Sequence, residues 1–310
     1  MNVTVTGAGG FLASHLIPRL LEGGHQVTGV DILNPGSRES WRLDPFRSHQ
    51  RFTYLWRSVE DLPFAFTDAI LHLAAVTDVN FGRHSPLFTL QQNVQATLKL
   101  LWLAANQQPG PPHLIYISTH SVYGPNHLQP IPEDVPLRPA TFYGASKAMA
   151  EMMVRAVCQE SRPEIPYTII RPSLMYGERE RPGALASLFL GLAFGNKPIR
   201  LEGGGQQTRD MTYVSNVVDL LALALEDSRS HGQTYNAGSG QEIPIHLLAE
   251  RAMIAANREP VGSLVITDAR PGEEGRLLLD SSKATRELGW SPVVPFEQGF
   301  HRLIKEFSKR

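Results

Sequence analysis

Tyr143 and Lys147 lie four residues apart in "FYGASKAMAE", so on a helix both project from one face. A lysine ammonium near a phenol stabilises the phenolate and draws the tyrosine pKa down from about 10 toward neutrality. With the positive charge of an oxidised nicotinamide added, the tyrosine becomes a general base. Upstream, "STHSVYG" (118–124) follows the apolar run "HLIYI". Thr119 there can hydrogen-bond the substrate oxygen that Tyr143 would deprotonate. A Tyr-x-x-x-Lys pair alone also occurs on solvated helix faces. Its place after a glycine loop, an acidic residue and Thr119 is what points to redox chemistry.

The glycine loop is "VTVTGAGGFLASHL" (3–16). The pattern G-x-G-x-x-G fails because its last position is Leu12, but Gly7-x-x-Gly10-x-x-Ala13 fits. Glycine lets backbone approach a phosphate closely, and a helix N-terminus favours an anion there. Asp31 follows Gly10 by 21 residues. A carboxylate at that point accepts bonds from ribose hydroxyls and repels a 2′-phosphate, which predicts NAD over NADP.

The elements that must position these groups alternate. Runs at 2–6, 25–30, 51–55, 68–74, 113–118 and 167–171 read as strands, with helical patterns near 10–22, 85–107 and 142–161 between them. The first helix meets a C-cap at Gly23-Gly24. Near-continuous apolar strands alternating with helices predict an α/β fold, a Rossmann doubly wound parallel sheet with ligands at the strands' C-terminal ends. After Arg171, Pro and Gly become frequent, which marks a smaller α/β lobe. Residues 1–171, rejoined by 213–257 with one more strand inside 232–240, are expected to form the NAD-binding domain. Residues 172–212 and 258–310 are expected to form the substrate lobe.

The bulk numbers narrow the partners. The chain has 310 residues, with 29 Lys+Arg against 30 Asp+Glu, so charge implies neither nucleic acid nor an anionic membrane. The single cysteine, Cys158, excludes an intrachain disulfide and suits a reducing, cytoplasmic setting. The N-terminus does not read as a signal peptide, and no apolar stretch is long enough to span a bilayer. No G-K-[ST] follows the glycine loop, and His113, His120 and His127 straddle a strand and a Pro-rich loop without the spacing of a metal site.

The chain resembles the extended short-chain dehydrogenase/reductases, in particular the NAD-dependent sugar-nucleotide epimerase/dehydratase group. The resemblance runs through "TGAGGFLASHL", "LHLAA" (71–75), "NVQATLKLL" (93–101), "STHSVYG", "YGASK", "RPSLMYG" (171–177), "TRDMTYVSNVVDLL" (208–221), "YNAGSG" (235–240), "ARPGEEGR" (269–276) and "ELGWSP" (287–292). It implies a nucleotide-diphosphate sugar as substrate and a homodimer paired through the helices near 85–107 and 142–161. It places Phe11, Leu12, Leu73, Ala74, Ala75, Asn93 and Pro172 at the cofactor, with Ser58 and Val59 near the adenine. It gives Arg209 and Arg270 to the substrate diphosphate, a role that suits a planar guanidinium, although either could instead form an ion pair. Three positions depart from the group's usual pattern. Leu174 stands where an Asn that contacts substrate is common, Asn216 replaces a frequent Asp, and Ser58 replaces a frequent Asp beside the adenine.

In sugar-nucleotide dehydratases of this group an Asp and a Glu directly follow the Thr, and uronate decarboxylases commonly keep the Glu. Here those positions hold His120 and Ser121. A 4-epimerase needs only one base and one tightly held cofactor, so the resemblance favours a nucleotide-sugar 4-epimerase with UDP as nucleotide. Ser121 is expected to bond a sugar hydroxyl. His120 is expected either to pack under the loop, to face solvent, or to act as an acid or base. A 4-ketoreductase, an atypical dehydratase using His120, and a non-catalytic NAD sensor are the alternatives. The retained Thr119, Tyr143 and Lys147 weigh against the sensor.

Overall fold

A computed structural model describes residues 1–62, 67–125, 128–260, 262–268 and 275–309. Strands β1 (Asn2–Thr6), β2 (Gln26–Asp31), β3 (Phe52–Trp56), β4 (Ala69–His72), β5 (His113–Ile117) and β6 (Tyr167–Pro172) form where the apolar, β-branched runs predict them. The first half of the chain adds helices α1 (Phe11–Glu22), α2 (Val79–His84), α3 (Pro86–Leu90), α4 (Ala96–Ala105) and α5 (Phe142–Glu160). The second half contributes β7 (Leu174–Tyr176), α6 (Leu185–Phe194), β8 (Ile199–Glu202), β9 (Thr208–Tyr213), α7 (Val214–Glu226), β10 (Gln233–Ala237), β11 (Glu242–Pro244), α8 (Ile245–Ala255), β12 (Leu264–Thr267), α9 (Ser282–Leu288) and α10 (Phe296–Phe307).

Seven strands make one parallel sheet in the order β10-β6-β5-β4-β1-β2-β3. The extra strand expected inside 232–240 is β10, at the sheet edge beside β6. Alternation along β5 explains why its whole run is apolar. Leu114 and Tyr116 join a core with Leu100, Leu101, Ala150 and Val154 of α4 and α5. Ile115 and Ile117 face the opposite way, into the core that holds Leu16, Ile17, Val217 and Leu221 of α1 and α7. The order reverses between β1 and β4, the point where a doubly wound sheet opens a crevice at its C-terminal edge.

The helix expected over 85–107 forms without a break from Pro86 to Ala105, with one wider turn in its middle. Pro86 starts α3 at its first turn, and a π-helical turn, Gln91–Gln95, precedes α4. The wider turn carries Asn93, whose amide is buried against Val76 and Ser146. Beyond β6 the chain builds two smaller sheets, β11-β9-β7 and β12-β8. Helix α8 packs on α6 and β11, whereas α9 lies against β10 and α7.

Candidate active site

The crevice at the C-terminal edge is a cavity of about 680 Å³. It is lined by Gly7, Gly10, Phe11 and Leu12 from the first turn, by Asp31, Ser58 and Val59 after β2 and β3, and by Leu73, Ala74 and Ala75 after β4. Thr119, His120, Ser121, Tyr143, Lys147 and Pro172 complete the opposite end. One fold edge thus gathers residues spread over more than half the chain.

The first turn is built for an anion. Gly10 caps α1 without a side-chain bond, and no acidic residue lies in the helix's first turn, so the open N–H groups face the cleft. Gly7 has φ +71°, and a Cβ there would stand 2.8 Å from the Ala74 nitrogen. Only glycine permits that conformation and that approach together. Asp31 fixes the turn from below, its Oδ2 accepting from Gly9 N–H at 2.8 Å and its Oδ1 from Leu33 N–H at 2.9 Å. The second lone pair on each oxygen is the acceptor that ribose hydroxyls would use. Ser58 accepts from Glu60 N–H at 3.3 Å and caps a short turn that carries Val59 into the wall. These groups fit a dinucleotide, from the diphosphate cradle to the ribose carboxylate.

At the reactive end, Gly144 lets α5 touch the loop after β5, since a Cβ there would meet the Ser121 carbonyl oxygen at 2.5 Å. That contact sets Tyr143 and Thr119 on the same cavity, with Thr119 favouring the phenolate. Thr119 Oγ1 also accepts from Ser121 N–H at 3.2 Å. Burial pushes Tyr143 up to about 12, opposed by Thr119 and the charge of Arg181. Burial brings Lys147 down to about 7, opposed by Glu151. Its Nζ sits 4.2 Å over the Tyr116 ring. The Arg181 charge thus draws the phenol down, and Lys147, four residues on, lines the same cavity.

His120 is a neutral imidazole near pH 7. Burial lowers it to about 4, the Pro172 carbonyl opposes this, and the Arg209 charge adds to it. Its Nε2 lies 3.5 Å from the Ser121 hydroxyl. Arg209 donates to the Thr208 carbonyl at 2.8 Å and stands outside the cavity lining. Arg270 and His127 fall outside the described residues. Asn93 lies behind the wall, not in it: its Oδ1 accepts from Val76 N–H at 2.7 Å, and its amide nitrogen donates to Val76 O and Ser146 Oγ. It supports the cofactor wall through Val76. Asn216 pins the C-terminal segment through Val294 and the Trp290 indole, and Leu174 does line the cleft. His113 is a core residue bonded to Thr168. Among the described residues no group of three His, Cys, Asp or Glu is arranged to hold a metal, and no helix is long and apolar enough to cross a membrane.

Glu180 and Arg181 are among the lining residues that escape the sequence reading. Glu180 is buried, accepts from Ser187 Oγ at 2.8 Å, and is raised to about 7 by desolvation. Arg181 pairs with Asp78 at 2.5 Å, joining the segment after β7 to the segment after β4. The signal for both was "GERERPG", four charges directly after a short strand.

Known proteins share this architecture. The family model described as "NAD dependent epimerase/dehydratase family" matches residues 3–238. A UDP-glucose 4-epimerase of Mycolicibacterium smegmatis is 29% identical, the match covering 100% of this chain and 99% of that protein. UDP-glucuronic acid decarboxylase 1 of Danio rerio is 30% identical over 99% of this chain and 73% of that protein. The crystal structure of DesIV, a dTDP-glucose 4,6-dehydratase from Streptomyces venezuelae with NAD bound, superposes with a TM-score of 0.91 at 27% identity, covering 100% and 98% of the two chains.

Proposed function

We propose that this chain, which belongs to the NAD-dependent epimerase/dehydratase family, is a nucleotide-sugar 4-epimerase with a UDP-sugar as substrate, acting through a transient 4-keto sugar. The observation that carries the proposal is the composition of the reactive end. Thr119, Tyr143 and Lys147 meet there, while the two positions after Thr119 supply a neutral imidazole and a hydroxyl in place of two carboxylates.

NAD bound along the first turn supplies a hydride acceptor, a hydride donor and, when oxidised, a positive charge. Tyr143 takes the proton of the C4 hydroxyl, and Thr119 orients that oxygen. Lys147 regains its charge as the cleft fills with polar groups, and then favours the phenolate. Tyr143 returns the proton once the keto sugar has presented its other face. Ser121 offers a hydroxyl to the sugar, and Arg209, with Arg270, would hold the diphosphate. The lobe of residues 172–212 and 258–310 would carry the nucleotide.

Elimination of water needs an acid and a base beyond the tyrosine. His120, at about 4, is a poor proton donor near neutrality. One observation favours a second reading as a 4,6-dehydratase: Glu180, raised to about 7, is a partly protonated carboxyl on the same cavity. One experiment separates the two. The purified protein, with no added cofactor, is incubated in heavy water with a panel of nucleotide sugars, and products are read by NMR and mass spectrometry. The proposal expects C4 epimers of unchanged mass, with no solvent deuterium at C5. Loss of water, or solvent deuterium at C5 that disappears in Glu180→Gln or His120→Ala, would establish the dehydratase instead.

A further inference from the structure

His72 is the last residue of β4 and is 1% exposed. Its ring nitrogens each face a threonine hydroxyl, Nδ1 to Thr6 Oγ1 at 2.7 Å and Nε2 to Thr97 Oγ1 at 2.9 Å. Thr97 has one proton, and it goes to the Asn93 carbonyl at 2.8 Å, an atom that only accepts. Thr97 therefore accepts from His72, which fixes the proton on Nε2. The bare Nδ1 then accepts the hydroxyl proton of Thr6. With its proton committed, Thr6 Oγ1 turns its lone pairs to Leu73 N–H and Ala74 N–H, both at 3.2 Å. The donor direction is thus set along the whole chain, from the π-helical turn at Asn93 to the two amides that open the cofactor wall.

Those amides stand where the wall meets the glycine turn. Ala74 nitrogen is the atom that a Cβ on Gly7 would strike, so the wall and the glycine turn are held at backbone contact. Thr6 immediately precedes Gly7, so the hydroxyl that gathers the two amides also ends the strand from which the turn departs. We propose that His72 is a positioning residue for the cofactor cleft, locked as the Nε2–H tautomer, which through Thr6 holds the Leu73–Ala75 wall against the Gly7 turn. Burial and the nearby Lys147 charge keep the ring neutral, with a pKa lowered to about 3.

The chain of donors predicts how substitutions rank. Asn at position 72 can present an acceptor to Thr6, much as Nδ1 does. Phe fills similar space and presents none, leaving the Thr6 proton unpaired in the core. The experiment measures NAD affinity of cofactor-stripped wild type, His72→Asn and His72→Phe by calorimetry, with unfolding curves to confirm that each is folded. His72→Phe should lose about tenfold in affinity, the equivalent of one buried hydrogen bond, and His72→Asn should recover most of it. Thr6→Val with His72→Phe should lose no more than the worse single variant, because both cut one chain. A folded His72→Phe that binds NAD as wild type does overturns the proposal. So does ¹⁵N NMR of the wild-type imidazole showing the proton on Nδ1, a measurement that stands even if the Phe variant fails to fold. A residue that only filled space would show equal NAD affinity in all folded variants.

Discussion

Replacing Lys147 by Met should stabilise the cofactor-free protein while abolishing turnover. Lys147 is 3% exposed, and burial takes its pKa from 10.5 to about 7. A base whose folded pKa lies below its unfolded value binds fewer protons when folded, so its cost is full below the folded pKa and fades as pH rises toward the unfolded one. At about 1.4 kcal/mol per pH unit, the cost is about 4–5 kcal/mol at about pH 6.5 and about 2 kcal/mol at about pH 9. Nζ over the Tyr116 ring gives back about 1 kcal/mol, which Met forgoes. The variant should therefore be more stable by about 3–4 kcal/mol at the lower pH and by about 2 kcal/mol at the higher, where the amine is neutral and makes no cation–π contact. Urea unfolding of both stripped proteins across that range measures the gap. A gap that stays constant with pH, or a Met variant less stable at about pH 6.5, refutes the argument, because either result means that the ammonium is solvated or paired in the folded state.

Tyr143→Phe should lower turnover by about 10²–10⁴-fold, since the general base is gone, and steady-state rates on the active nucleotide sugar test this. Arg209→Ala should weaken nucleotide-sugar binding by about 1.5–3 kcal/mol in calorimetry and leave NAD binding unchanged. The exposed Leu87, Phe88, Trp102, Phe142 and Met152 lie on α3, α4 and α5. They are expected to be covered in a homodimer, so light scattering should give twice the chain mass, and Leu87→Glu with Met152→Glu should give a monomer.

The strands were legible because burial on both faces leaves a continuous β-branched run, and the period-2 split of β5 between two cores requires that pattern. The first turn was legible for a related reason: glycine at a left-handed φ in backbone contact with Ala74 has no substitute. Helical periodicity could not reveal the π-helical turn at Gln91–Gln95, because of its five residues only Val94 is apolar and no stripe runs through it to show a shift. Asn93 sits in that turn. A motif residue near the cofactor was read as touching it, whereas its amide is spent on Val76 and Ser146. Glu180 and the lowered Lys147 were hidden because desolvation is tertiary. Residue type gives an ordinary pKa, and only the packed neighbours displace it.

Within one cavity the cofactor end and the reactive side chains are firmly held. The cofactor end is tied by backbone contact at Gly7, by both oxygens of Asp31, and by the buried amide of Asn93 behind the wall. The reactive side chains are equally fixed, through Gly144 on the Ser121 carbonyl. The surroundings proposed for the sugar are looser. Leu174 offers no hydrogen bond where a polar side chain would grip a hydroxyl, and Ser121 can follow a moving partner with its rotatable hydroxyl. Each hydrogen bond made to only one orientation of the ring would cost about 1 kcal/mol to break on turning. A cleft that fixes the proposed base and cofactor while gripping a sugar weakly would meet what the proposed inversion at C4 demands, since the proton acceptor must stay in place while the ring presents first one face and then the other.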